Sequence, residues 1–286
     1  MLNGDELVIQ IPGFTVAARQ WGDKNGIPIL AMHGWLDNAS SFEFLAPLIK
    51  DAYIVAVDMP GCGHSSHRPL GTLPHIIDEV IYALQIANAL GFKEFVVLGH
   101  SRGGAVAQLV AAACPERVRA LILIEIVGFY TSEGENAAVR MRNAVKAVFG
   151  EQRGGTPFKD LKAAAEGRML SSPIKYESAL ALARRGTTEV NGEVVWSFDR
   201  RERNIPSIIR YSDEQLNQIL EAIVSPACVV LASRGIMGDE ANAKLRAQKI
   251  RNAALFFLPG DHHLHMDDAA PVATIINNFL SKVKSG

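Results

Sequence analysis

The sequence predicts an α/β fold: a mostly parallel, eight-stranded sheet with helices on both faces and a helical cap inserted after the sixth strand. Two observations predict the sheet. Short runs rich in Val, Ile and Leu alternate with helix-like runs, which implies βαβ units. Most of these apolar runs do not alternate with polar residues, the pattern of strands covered on both faces. A third observation predicts the cap. The rhythm breaks between about Gly128 and Ser225 and returns at "ACVVLAS".

Taken in order, the expected strands are Leu7–Ile11, Thr15–Trp21, Ile29–Met32, Tyr53–Val57, Phe95–Leu98, Ala120–Ile124, Ala227–Ala232 and Ala254–Leu258. The first two flank Pro12-Gly13 and read as an antiparallel hairpin. Expected helices are Phe42–Ile49 after Ser40-Ser41, Leu73–Leu90 ending at Gly91, Gly104–Ala113 ending before Pro115, and Pro271–Val283 with Pro in its first turn. The interrupted region holds helix-like stretches at Asn136–Phe149 and Phe158–Met169, and the segment "RRGTTEVNGEVVWSFDRR". This divides the chain into a core, residues 1–127 and 226–286, and a cap, residues 128–225.

Composition narrows the function. The chain has 286 residues, 48% hydrophobic and 21% charged, with a formal net charge of −1. No run of one charge suggests a nucleic-acid or membrane surface, so the expected partner is a small molecule, with oligomeric state left open. The three cysteines, Cys62, Cys114 and Cys228, are widely spaced and odd in number. That argues against a disulfide framework or zinc knuckle and for a reducing compartment, the cytoplasm. No basic region followed by an apolar block opens the chain, and no apolar run reaches the length of a membrane span.

The chemistry centres on Gly99-His100-Ser101-Arg102-Gly103, which fits G-x-S-x-G. A serine between a strand and a helix, with glycines beside it, stands on a sharp turn with its hydroxyl clear of the sheet. Such a hydroxyl needs a base, a carboxylate to orient that base, and N–H donors for an oxyanion. The loop "HGWLDNASSF" after the third strand offers the backbone N–H of Trp35. The residue after the serine, Arg102, offers the second. His33 reads as a structural histidine that ties this loop down. The loop after the last strand, "PGDHHLHMDD", offers His262 as base, ahead of His263 and His265. A metal reading of His262, His263, His265, Asp267 and Asp268 is set aside, because HHxH is irregular for zinc and Ser101 already accounts for a histidine. No metal or cofactor is expected.

Two carboxylates compete as the acid. After the seventh strand, a carboxylate is expected near Ile236, which cannot serve; Asp239 follows three residues later. Glu125 ends the sixth strand, beside the strand that leads to Ser101. A carboxylate at the end of a buried strand needs a partner, and Glu125 is favoured over Asp239.

These motifs resemble the α/β-hydrolase fold, and more narrowly the serine hydrolase-like proteins, whose animal members share "HGWLDNASSF" (His33–Phe42) and a "GHSxGG" elbow (Gly99–Gly104). "RGTT" (Arg185–Thr188) and "PGDHHLHM" also match that family. The resemblance implies the eight-stranded fold, a helical lid and a Ser–His–acid site, without fixing a substrate. Haloalkane dehalogenases of the same fold place a Glu where Glu125 lies. They and epoxide hydrolases attack with Asp, whereas this chain has Ser101. The expected activity is hydrolysis of a small to medium, largely apolar carboxylic ester through an acyl-enzyme. Alternatives are a slow or non-catalytic ligand-binding protein, cleavage of a thioester, lactone or C–C bond, and a cofactor-free perhydrolase activity.

Overall fold

The computed structural model describes residues 4–132, 134, 136–150, 155–205, 207–237 and 239–284. Eight strands form one sheet: β1 (Asp5–Ile11), β2 (Phe14–Gly22), β3 (Ile27–Met32), β4 (Ala52–Val57), β5 (Phe95–His100), β6 (Val118–Ile124), β9 (Ala227–Ala232) and β10 (Ala253–Leu258). A separate small hairpin is formed by β7 (Thr187–Val190) and β8 (Glu193–Trp196). The helices are α1 (Ile76–Ala89), α2 (Arg102–Ala113), α3 (Ala137–Phe149), α4 (Leu161–Ser171), α5 (Tyr176–Gly186), α6 (Arg200–Asn204), α7 (Asp213–Glu221), α8 (Glu240–Lys249), α9 (Leu264–Asp267) and α10 (Ala269–Lys284).

The sheet order is β1-β2-β4-β3-β5-β6-β9-β10. β2 pairs antiparallel with β1 and β4, and every other pairing is parallel. All six residues of β4, β5 and β9 are buried, which explains their unbroken apolar runs. Alternate residues serve the two faces. Leu121 and Leu123 join one core cluster with α1, α2, α7 and α8. Ile122 and Ile124 join the other, with Val272, Ile276 and Leu280 of α10. At the edge, β10 reverts to partial exposure.

The expected helix over Phe42–Ile49 is instead two single 3-10 turns, Ala39–Phe42 and Ala46–Leu48. Pro47 lacks an N–H and disfavours helical backbone before it, so no α-helix runs through. Pro74 acts likewise on Leu73, and α1 begins only at Ile76. The β7–β8 hairpin turns at Asn191-Gly192, both at positive φ (54° and 81°), the pairing a two-residue hairpin favours. Although it lies between β6 and β9, within the stretch expected as a cap, α7 packs Leu216 and Leu220 into the same cluster as Val106 and Val110 of α2.

Candidate active site

Three adjacent parallel strands, β5, β6 and β9, end together. Ser101 follows β5 at φ 50° and ψ −118°, a backbone that side chains other than glycine rarely adopt and that must be held by its surroundings. The surroundings do hold it. A Cβ on Gly99 would sit 2.4 Å from the backbone of Gly103 and Gly104, and one on Gly103 would sit 2.2 Å from Met32 O. Only glycine lets the turn close this tightly and lets the end of β3 lie against it. Ser101 N–H donates to Ile124 O at 3.0 Å, which fixes the elbow to β6.

Glu125 follows β6 directly. It is fully buried, at φ 56°, and its N–H donates to Val230 O at 2.9 Å. Its carboxylate accepts three hydrogen bonds, from Ala232 N–H, from Ile236 N–H at 3.2 Å, and from His262 Nδ1 at 3.1 Å. Thus the loop after β9 gives no carboxylate but supplies N–H donors to one. Gly235 makes room, because a Cβ there would lie 2.0 Å from Glu125 Oε2. Asp239 lies elsewhere: it caps α8, accepting from Ala241 and Asn242 N–H.

With Nδ1 donating to Glu125, the neutral His262 ring carries its lone pair on Nε2. No hydrogen bond joins that nitrogen to Ser101 among the described residues. Two backbone N–H groups are left without an acceptor. Neither Trp35 N–H nor Arg102 N–H has an acceptor among the described residues, and the latter opens α2, where the helix dipole favours negative charge. His33 ties its loop down, donating from Nδ1 to Gly34 O at 2.7 Å and accepting from Met59 N–H at 3.1 Å.

Several residues around the site gave no local signal in the sequence. The Arg102 side chain meets Glu79 of α1 and Glu202 of α6, and Arg68 meets the same two carboxylates. Trp35, half-exposed, donates its indole N–H to Glu202 O at 2.9 Å. The histidines of the "HHLH" run separate: His265 pairs with Ser41 Oγ at 2.9 Å, while His263 Nε2 lies 3.3 Å from Asp37 Oδ2. Asp267 is engaged by Lys175 N–H. The groups that do converge are Asp37, His100 and His263, all buried. Burial raises the Asp37 pKa, but the His263 hydrogen bond and the charges of His263, Arg168 and His100 outweigh it and hold the carboxyl well below its usual range. Burial and the neighbouring histidines push His100 and His265 well below the usual histidine value.

This sheet order, with a serine elbow, a strand-end carboxylate and a histidine after the last strand, defines an α/β hydrolase. The chain belongs to the alpha/beta hydrolase fold family, whose model matches residues 27–269, and within it to the serine hydrolase-like proteins. It is 31% identical to the human serine hydrolase-like protein 2, over 96% of this chain and 93% of the relative. The structure is similar to that of a hypothetical protein of Pseudomonas aeruginosa PAO1, with a TM-score of 0.93 and 35% identity, covering 97% of this chain and 99% of that one. The thioesterase domain from the curacin biosynthetic pathway matches with a TM-score of 0.86 and 25% identity, covering 96% and 99%. No helix among the described residues is long and apolar enough to cross a membrane.

Proposed function

We propose that the chain is a serine carboxylester hydrolase for small to medium, largely apolar esters. Ser101 Oγ attacks the ester carbonyl while His262 Nε2 takes its proton. Trp35 and Arg102 N–H groups hold the oxyanion, and Glu125 orients the imidazole and stabilises its charged form. The tetrahedral intermediate collapses, and the protonated His262 hands its proton to the departing alcohol. Water, deprotonated by His262, then attacks the acyl-serine, and the proton returns to Ser101 as the acid leaves.

The observation that carries this reading is the 3.1 Å contact between His262 Nδ1 and the fully buried Glu125 carboxylate. Glu125 directly follows the strand beside the one that leads to Ser101. The near-zero net charge and a cap rich in Ala, Leu, Val and Phe support an apolar substrate. In this reading the core, residues 1–127 and 226–286, carries the chemistry, and residues 128–225 form the lid. The three unpaired cysteines support a cytoplasmic setting. A second reading, thioester cleavage, is favoured by the likeness to the curacin thioesterase domain and uses the same residues.

Hydrolysis of p-nitrophenyl esters from acetyl to decanoyl, beside the matching acyl thioesters, tests both. Turnover by wild type that is lost in Ser101→Ala supports the proposal, and the preferred series names the bond. Equal rates for the two proteins on every ester and thioester would overturn it.

A further inference from the structure

Beside the site lies a cluster that the triad does not use. His100 Nε2 donates to the His262 carbonyl at 2.9 Å. In the neutral ring this leaves His100 Nδ1 as a bare lone pair. That atom is buried and has no hydrogen-bond partner among the described residues. It faces Asp37 Oδ2 at 3.8 Å, one acceptor looking at another.

His263 Nε2 is in a similar position. It lies 3.3 Å from Asp37 Oδ2 and 3.2 Å from Arg168 Nη2. Unprotonated, it accepts from Arg168 and faces the carboxylate as a second acceptor. Protonated, it donates to Asp37 and meets the Arg168 N–H head-on. No neutral tautomer satisfies every group. Three lone-pair atoms from three buried side chains thus lie within 4.8 Å of one another. Arg168, from α4 of the cap, supplies the positive charge, with Nη2 also 3.1 Å from Asp37 Oδ1.

We propose that Asp37, His100 and His263 form a site for a divalent transition-metal ion of zinc's class, filled when Arg168 swings out. Two imidazole nitrogens and one carboxylate oxygen are a donor set that suits zinc and its neighbours rather than calcium or magnesium. Tetrahedral bonds of about 2.0–2.1 Å put neighbouring donor atoms about 3.3 Å apart. The two Asp37 contacts, 3.3 and 3.8 Å, already approach that. Gly34 keeps the space open: a Cβ there would lie 2.8 Å from His100 Nδ1 and 3.1 Å from Asp37 Oδ2.

Arg168 and a metal ion exclude each other, because both carry positive charge to the same donor atoms. The Arg168 side chain is 17% exposed against 2% for Asp37, so Arg168 has a path to solvent. Two of the ligands adjoin Ser101 and His262 in sequence. Metal binding therefore competes with the Arg168 tie from the cap and reports directly beside the triad.

Calorimetric titration of the full chain with zinc tests this, and it does not depend on the protein being a hydrolase. Arg168→Met should bind one zinc at least tenfold tighter than wild type. Adding His263→Gln to Arg168→Met should abolish that binding. Since a buried histidine variant can misfold, X-ray absorption of zinc-loaded Arg168→Met supplies an independent readout: two imidazoles and carboxylate oxygen around the metal. Equal zinc affinity for wild type and Arg168→Met would overturn the proposal. So would zinc retained without His263, or a metal shell with fewer than two imidazoles.

Discussion

His100 and His265 are fully buried at 0% exposure, and their environment holds the neutral form. Their effect on stability has a definite sign. The unfolded chain takes up a proton on each as pH falls through about 6.5, while the folded chain does not. Stability is therefore full above that value. It falls below it by about 1.4 kcal/mol per pH unit for each histidine, until the folded-state pKa is reached. The depressed carboxyl of Asp37 acts in the same direction lower down. Its contribution is present above about pH 3.9 and is lost as pH falls through the folded value. Urea titrations from pH 7.5 to 5 should show this decline, and His265→Gln should flatten it. An unchanged slope in that variant would mean that His265 does not remain neutral in the fold.

At the scale of elements, the loop between β9 and α8 is built to receive a carboxylate. Gly235 leaves space for Glu125, and the Ala232 and Ile236 N–H groups point at it. Gly235→Ala should displace Glu125 and lower kcat/KM by at least tenfold, with circular dichroism unchanged. Asp239→Asn retains a side chain suited to capping α8 and should leave kcat/KM within twofold. The eight strands of the main sheet were legible in the sequence to within two residues at each end, because burial on both faces writes itself as unbroken apolar runs. Ser101, His262 and Glu125 were legible because each ends or follows such a run. The helix expected at Phe42–Ile49 failed at Pro47, a local signal passed over. Asn191-Gly192 was likewise a readable hairpin turn. Asp37 and His263 were not legible as a pair, since their partnership spans 226 residues of sequence.

Across the whole molecule, the described residues between β6 and β9 are joined to the rest of the chain by charged pairs distant in sequence. Arg185, the first residue of the "RGTT" stretch, donates from Nε to both Asp58 oxygens at 2.9 Å. Asp58 follows β4, is 0% exposed, and also accepts from the Ala39 and His64 N–H groups. Arg68 and Arg102 reach Glu202, and Arg168 reaches Asp37. Removing one member of a buried pair leaves an uncompensated charge, at a cost of about 3–5 kcal/mol. Arg185→Met should lose about that much in urea denaturation, and Asp58→Asn in the same chain should restore part of it. An undiminished loss in the double variant would show that Arg185 acts through packing and not through Asp58.

The central claim is that Glu125, through His262, activates Ser101. The most direct measurement is the rate at which a fluorophosphonate probe labels Ser101 in wild type, Glu125→Gln and Asp239→Asn. The account predicts rapid labelling in wild type and Asp239→Asn, and a fall of about 10³–10⁴-fold in Glu125→Gln. Rapid labelling of Glu125→Gln together with slow labelling of Asp239→Asn would contradict it.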